Sequence, residues 1–297
     1  MAWSSAVSTT STVAGGLGKT IGDAVAAFGK VNVFLPLIMS KSAVQGSKSV
    51  EFVDVTVSGA VDVSTPSEGA DSSAQAMATT ARTATIAEHV MQVDITDLAD
   101  MGYGAGKLSD TAGAVIGNSI SAKLDDDVAN LFAAGSLTSD AAGAGTPLTI
   151  AHIFDCLRLL NANSAVAPLN LALGVKQTYG AKGIRALVQN AAAPTTTALW
   201  GHNPKLNEEV VLNGFITRFA GFDVYSSPQI TEISGDDEEG CAFSKGAFGV
   251  AVGARGLIRI ETERNASARL TEYVGTGFWG ETMIKDLFAV SLTSDVS

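Results

Sequence analysis

Ile116, Ile120, Leu124, Val128 and Phe132 recur at every fourth position, and Ala112, Val115 and Leu131 widen the stripe. A repeat of about 3.6 residues per turn carries such positions to one face, so the spacing predicts an amphipathic helix over roughly 109–134. Ser109 and Asp110 supply a start signal and Gly135 a stop. At about 1.5 Å per residue the helix would extend roughly 37 Å, long enough to act as a spine.

Elsewhere the period falls to two. Over 50–57, Val53, Val55 and Val57 alternate with Asp54 and Thr56, and 82–95 carries Thr83, Ile86, Val90, Val93 and Ile95. The stretch between, 60–81, has no Leu, Ile or aromatic residue and three acids against no base. The pattern predicts a long two-stranded arm with a polar tip. Two strands alone are marginal in water, so the arm is expected to lie on another copy of the protein. After a small-residue linker at 136–147, which suggests a domain boundary, Thr149 is placed to cap a second helix presenting Ile150, Ile153, Phe154, Leu157 and Leu160. Leu169, Leu171, Leu173 and Val175 then alternate as a strand. Residues 210–212, the turn Asn213–Gly214 and 215–225 read as a hairpin, and an acidic loop follows at 235–240. Strand-like stretches at 247–252, 257–263, 269–274 and 284–292 complete an α+β pattern without a 20–50-residue repeat.

Residues 1–18 are uncharged and rich in Ser, Thr, Ala and Gly, a composition expected to form a flexible arm. The apolar patch at 31–39 is expected to dock on a neighbouring subunit through Val33, Phe34, Leu35 and Leu37.

Composition sharpens this picture. Apolar residues make up 46% of the 297 positions and charged residues 16%, against about 25% charged in ordinary domains, which leaves surface for contact between subunits. The net charge of −11 and pI near 4.7 exclude a protein held to nucleic acid by exposed phosphate contacts. The 31–39 patch, broken by Asn32 and Pro36, is far shorter than the roughly 20 residues that span a bilayer, so no membrane segment is expected. The first charge is Lys19 and no apolar signal core precedes it, so no secretory leader is expected. Isolated Cys156 and Cys241, without CxxC spacing, fit a reducing cytoplasm and argue against a disulfide framework or metal knuckle.

Several motifs invite a catalytic reading and lack its context. The run from Gly275 through Gly277 to Gly280 matches GxGxxG, but a dinucleotide site needs a following helix and an acid about 20 residues on, which leaves a bend between two strands as the better reading. The run 15–20, ending Gly18-Lys19-Thr20, has Val13 where a phosphate loop needs glycine. His89, His152 and His202 are scattered, with no GxSxG or HExxH support. Asp125 to Asp127 and Asp236 to Glu239 lack the alternating oxygen ligands of a calcium loop, and read as solvated faces or inter-subunit salt-bridge partners. No catalytic residue, cofactor or metal is expected. Lys245, Arg255, Arg259, Arg264 and Arg269, near Glu261 and Glu263, are read equally as alternating charge on an outer sheet face or as ion-pair partners of an acidic arm bearing Asp62, Glu68 and Asp71 on another subunit.

The order of parts is itself informative: an N-terminal arm, an extended hairpin, a long helix ending Asp126-Asp-Val-Ala-Asn-Leu-Phe-Ala-Ala-Gly135, an α+β insertion and terminal strands. With 212–225, 247–252 and 264–280, it resembles the major capsid proteins of tailed bacteriophages, the Hong Kong 97-like fold, over nearly the whole chain. The resemblance implies an N-terminal arm at 1–47, an E-loop at 48–96, a peripheral domain at 97–147 and 242–297 and an axial domain at 148–241. It implies self-assembly through pentamers and hexamers into an icosahedral shell, a virion component made in the host bacterial cytoplasm. Double-stranded DNA would be packaged without sequence-specific contact. A portal is implied, a separate scaffolding protein or none is expected because only some 47 residues precede the hairpin, and a cement protein is compatible. Some members cross-link Lys to Asn with a catalytic Glu. The arm offers Lys48 and Glu68 without a cross-linking motif, and no covalent joining is expected. The alternatives are an encapsulin, the same shell packaging an enzyme, and a small-molecule-binding α/β enzyme using the C-terminal glycines.

Overall fold

The computed structural model describes residues 32–57, 65, 68–69, 76–102, 108–133, 143–180, 182–184, 215–233, 235–254 and 257–296. The 1–18 arm, the Gly18-Lys19-Thr20 run, Gly135, His202, 210–214, Asp62, Asp71 and Arg255 lie outside them.

Among the described residues, five strands form the first sheet: β1 (Met39–Ser42), β4 (Ala87–Thr96), β10 (Phe248–Val252), β11 (Ile258–Asn265) and β12 (Leu270–Met283). β12 is its axis. β4 pairs antiparallel along one edge from Leu270↔Thr96 to Trp279↔Ala87, while β11 and β10 share the other edge, and β1 adds parallel to β10. Across this sheet lies the spine helix α2 (Leu108–Ala129), which follows the short α1 (Asp97–Gly102) and ends in a 3-10 turn (Asn130–Phe132). All five residues of the fourfold stripe are buried.

The glycine run is no bend. β12 passes straight through it, and the helix presses on the strand: a Cβ on Gly275 would lie 2.0 Å from Cγ2 of Ile116, while one on Gly277 would lie 2.2 Å from Cζ3 of Trp279 in the same strand and 3.1 Å from Cγ2 of Ile120. Real Cβ contacts do not come so close, so a helix can cross here only over glycine.

The second sheet runs β13-β9-β5-β7-β6, built from β5 (Leu169–Leu173), β6 (Phe215–Phe219), β7 (Phe222–Ser226), β9 (Asp237–Ser244) and β13 (Ala289–Asp295), with β8 (Glu232–Ile233) beside β9. Central β5 is buried at all five positions, as a strand covered on both faces must be. Helix α3 (Ile150–Ala162) packs Ile153, Cys156 and Leu160 against it, and the Thr149 hydroxyl accepts from the His152 amide as an N-cap. Phe154, expected on that face, is half exposed.

Several expectations are corrected. Val175 does not extend β5 but opens α4 (Val175–Tyr179). The hairpin turn falls at Ala220–Gly221, both at positive φ, so 215–225 is two strands. The acidic loop is largely strand: Asp237 and Glu238 are buried in β9, with Asp237 accepting from the Gly145 amide. The Glu238 carboxylate accepts from the Lys176 and Gln177 amides, while the buried Gln177 amide group donates to the carbonyls of Glu238 and Leu292. β9 continues past Gly240 to Ser244, and β13 pairs along it. The two sheets meet at an aromatic cluster in which Phe132 packs on Phe34, Phe243 and Phe248 at 5.2–5.6 Å between ring centres.

Candidate assembly surfaces

The second strand of the arm divides at Ile86. β2 (Ser49–Val57) pairs antiparallel with β3 (Met77–Thr85), whereas β4 belongs to the first sheet, so the free hairpin is β2–β3. Its register runs from Ser49↔Thr85 to Val57↔Met77. The alternation of the strands sorts two faces. Phe52 and Ala84 are buried with Ala251 of β10 at the root, and the Phe52 ring lies against Gly249. Lys41 Nζ stands 4.9 Å above that ring and donates to the Glu51 carbonyl, and Lys285 pairs with Asp54 at 3.2 Å. The opposite face carries Val53, Val55 and Met77, exposed by 53%, 51% and 74%, with Ala81 directly across from Val53. By register Glu51, Thr79 and Thr83 share this face, so its apolar patch is Val53, Val55, Ala81 and Met77, which no other described segment covers. A pocket of about 410 Å³ lies at the root between Lys48, Ile86, Glu88, Gly253 and Phe278.

The remaining expected contact residues divide. Val33, Phe34 and Leu37 are corrected outright: they are buried in this chain's own core beneath α2, and Leu35 is partly buried against the same cluster. An apolar patch next to a helix with an apolar stripe needs no second subunit. Glu68, Lys245 and Arg269 are exposed. Arg259 pairs with Glu261 along β11, and Arg264 with Asp97 at the start of α1 at 2.7 Å, so both find acids in their own chain.

The polar groups form structural brackets. His89 stacks on Trp279 with ring centres 3.8 Å apart and planes 5° from parallel. The Trp279 indole donates to Asp127 at 3.1 Å, and Lys123 bridges Asp126 and Asp127, which hold its ammonium pKa above the ordinary lysine value. Burial raises the Glu281 pKa, and the Asp127 charge raises it further. Asp125 faces inward instead: both its oxygens accept backbone amides, Val33 at 2.8 Å and Phe34 at 3.2 Å, and burial pushes its pKa up to about 6. The solvated reading of Asp125 is thereby corrected. Its signal was legible in one respect, since it stands three residues before Val128 and so on the flank of the buried stripe.

His89 lies on β4 and His152 on α3, against different sheets. The Cys241 thiol is pushed well above its ordinary pKa by burial, and Cys156 is buried as well. Among the described residues no group of three or more His, Cys, Asp or Glu is placed to hold a metal ion, and no helix is long and apolar enough to cross a membrane.

No family model matches the sequence, and no curated protein matches it. Solved structures do match. The capsid of the cyanophage P-SCSP1u superposes with a TM-score of 0.65 over 90% of this chain and 89% of that one, at 16% identity. The capsid of Ralstonia phage GP4 does so at 0.62, covering 88% and 87%, with 13% identity. The SrpI encapsulin complex of Synechococcus elongatus PCC 7942 gives 0.56 over 89% and 88%, at 14% identity. The chain has the Hong Kong 97-like capsid fold.

Proposed function

We propose that this chain is the major capsid protein of a tailed bacteriophage, assembling through pentamers and hexamers into the icosahedral shell that encloses double-stranded DNA. One observation carries the reading: among the described residues, the hairpin is anchored at its root and presents an exposed apolar patch of Val53, Val55 and Met77 that no other described segment covers. Two strands gain too little by themselves to stay ordered in water, and a second copy supplies the missing face. The phage capsids of the same fold support that choice of partner. In this reading 1–47 is the N-terminal arm and 48–96 the E-loop, with β4 built into the peripheral sheet. Residues 97–147 and 242–297 form the peripheral domain and 148–241 the axial domain, and β13 of the former pairs along β9. Glu68 and Lys245 are candidate contacts, joined by Val53, Val55 and Met77. The role is structural, in the virion, with no enzymatic step. A portal and a separate scaffolding protein are its further partners, and a cement protein is a candidate one. DNA is enclosed without sequence-read contacts, as the acidic balance requires.

An encapsulin is the second reading, favoured by the SrpI likeness. Expression of the chain alone and with its neighbouring genes, followed by negative-stain microscopy and mass measurement, separates the readings. Closed shells or capsomer rings are expected. Shells that carry a cargo enzyme on the inner wall would favour the compartment. A monomer or dimer under both conditions, binding nucleotide, would overturn both shell readings in favour of an α/β enzyme.

A further inference from the structure

The segment 32–38 enters the core through an unusual clasp. A carboxylate from near the C-terminal end of α2 reaches its backbone: Asp125 takes the Val33 amide on one oxygen and the Phe34 amide on the other. These amides lie immediately before the short 3-10 turn Leu35–Leu37, so Asp125 fixes the chain at the entry to that turn from a distant part of the sequence. Asn32 completes the bracket, accepting from the Leu35 amide and donating to the Ser121 carbonyl. Behind the clasp Phe34 is sealed edge-on against Phe132.

Among the described residues no cation pairs with the clasp carboxylate. The segment 32–38 carries no charged residue. On α2 the neighbouring charges along the chain are Lys123, Asp126 and Asp127, and Lys123 is held by the two acids; Glu281 of β12 faces Asp127 and Lys123. Docking therefore removes an ionised carboxylate from water with two amides as compensation, which is costly for an unpaired charge. An exposed carboxyl on an undocked helix surface bears no such cost.

We propose that docking of the 32–38 segment onto the spine helix is coupled to uptake of a proton by Asp125, so that the segment is a latch that tightens on acidification and loosens towards neutral pH. The sign follows from linkage. The docked carboxyl titrates at about 6 and the undocked one near its ordinary value, so the docked state binds the proton more tightly. Protonation spares the desolvation cost and sacrifices one acceptor position, with the carbonyl oxygen still available to Val33. Stability of the docked state is therefore greatest below the ordinary carboxyl range and declines as pH rises through about 6. The latch controls where the chain preceding Asn32 is tethered, and it stands whether or not the chain builds a shell.

Hydrogen exchange on the full-length protein tests it, read at the Val33, Phe34, Leu35 and Leu37 amides and corrected for intrinsic rates. Protection is expected to rise roughly tenfold between pH 7.5 and pH 5. In Asp125→Asn, which is neutral throughout, protection should be lower at pH 5 than in the parent and flat with pH. Glu281→Gln should retain the tenfold rise, which separates the clasp from the second buried acid. A flat profile in the parent protein overturns the proposal, and so does a rise that survives Asp125→Asn or disappears in Glu281→Gln. The parent profile decides the matter even where the Asn variant does not fold.

Discussion

β12 and the β2–β3 hairpin are both long ribbons with alternating side chains, yet they lead opposite lives. β12 has a strand on each edge and a helix across its face, and Trp279, Gly280 and Leu270 disappear into the core. The hairpin has one partner strand and one anchored root, and three large apolar side chains remain in water. The alternation is the same in both, so alternation alone does not decide burial. What decides it is whether a covering surface exists within the chain. For β12 the covering surface is α2; for the outer hairpin no described segment supplies one.

The comparison breaks most violently at Gly275. Gly275→Val places a branched side chain where a Cβ alone would stand 2.0 Å from Ile116. Because strand and helix backbones must both retreat, a loss well above the usual ~1–3 kcal/mol of overpacking is expected, read as insoluble protein or an unfolding midpoint too low to measure. Wild-type solubility and midpoint in this variant would show that the helix does not lie on the strand. Phe132→Ala comes next, emptying the junction where Phe34, Phe243 and Phe248 meet. About 3–5 kcal/mol should be lost in denaturant unfolding of unassembled protein.

The spine helix was legible because its fourfold stripe continues past the last α-helical turn to Phe132. The GxGxxG run misled in the opposite direction. Glycines at 275 and 277 suggest a turn when only one chain segment is considered, yet Gly275 is explained by Ile116, about 160 residues earlier in the sequence, and Gly277 by the Trp279 ring and Ile120. Asp237 and Glu238 failed for a similar reason, since their charges find backbone amides at 145 and 176–177 that no local pattern announces. Phe34 was recognised as a docking residue but sent to the wrong surface. A sequence shows that an apolar patch needs a partner and does not say whether the partner is its own helix.

At the hairpin root the effects shrink. Phe52 is buried by contact with Gly249, Ala84 and Ala251, at the edge of the molecule rather than in its centre. Phe52→Ala is expected to cost about 3 kcal/mol, the lower end for a buried phenylalanine, and to raise hydrogen exchange along β2 and β3 before any other strand. Exchange that rises equally in β12 would mean the hairpin is not a separate unit. Lys285→Ala removes the ion pair with Asp54, which is partly solvated, so no more than about 0.5–1 kcal/mol should be lost, and less at high salt.

The smallest effect on the isolated chain belongs to the outer hairpin face, and there the comparison is sharpest. Val53→Thr combined with Val55→Thr keeps shape and strand preference while exchanging two exposed methyls for hydroxyls. In unassembled protein these positions are half in water, so unfolding free energy should change by less than about 0.5 kcal/mol. In a shell each position is covered, and roughly 1 kcal/mol per side chain is lost at every copy of the contact. The concentration needed for assembly should then rise by about thirtyfold. The same pair of substitutions in a covered strand, such as Leu171→Thr with Leu173→Thr in β5, should reverse the pattern by destabilising the chain before assembly is reached. If the hairpin variant assembles at the parent's concentration, the apolar face has no partner in the shell, and the difference between the two ribbons has another cause.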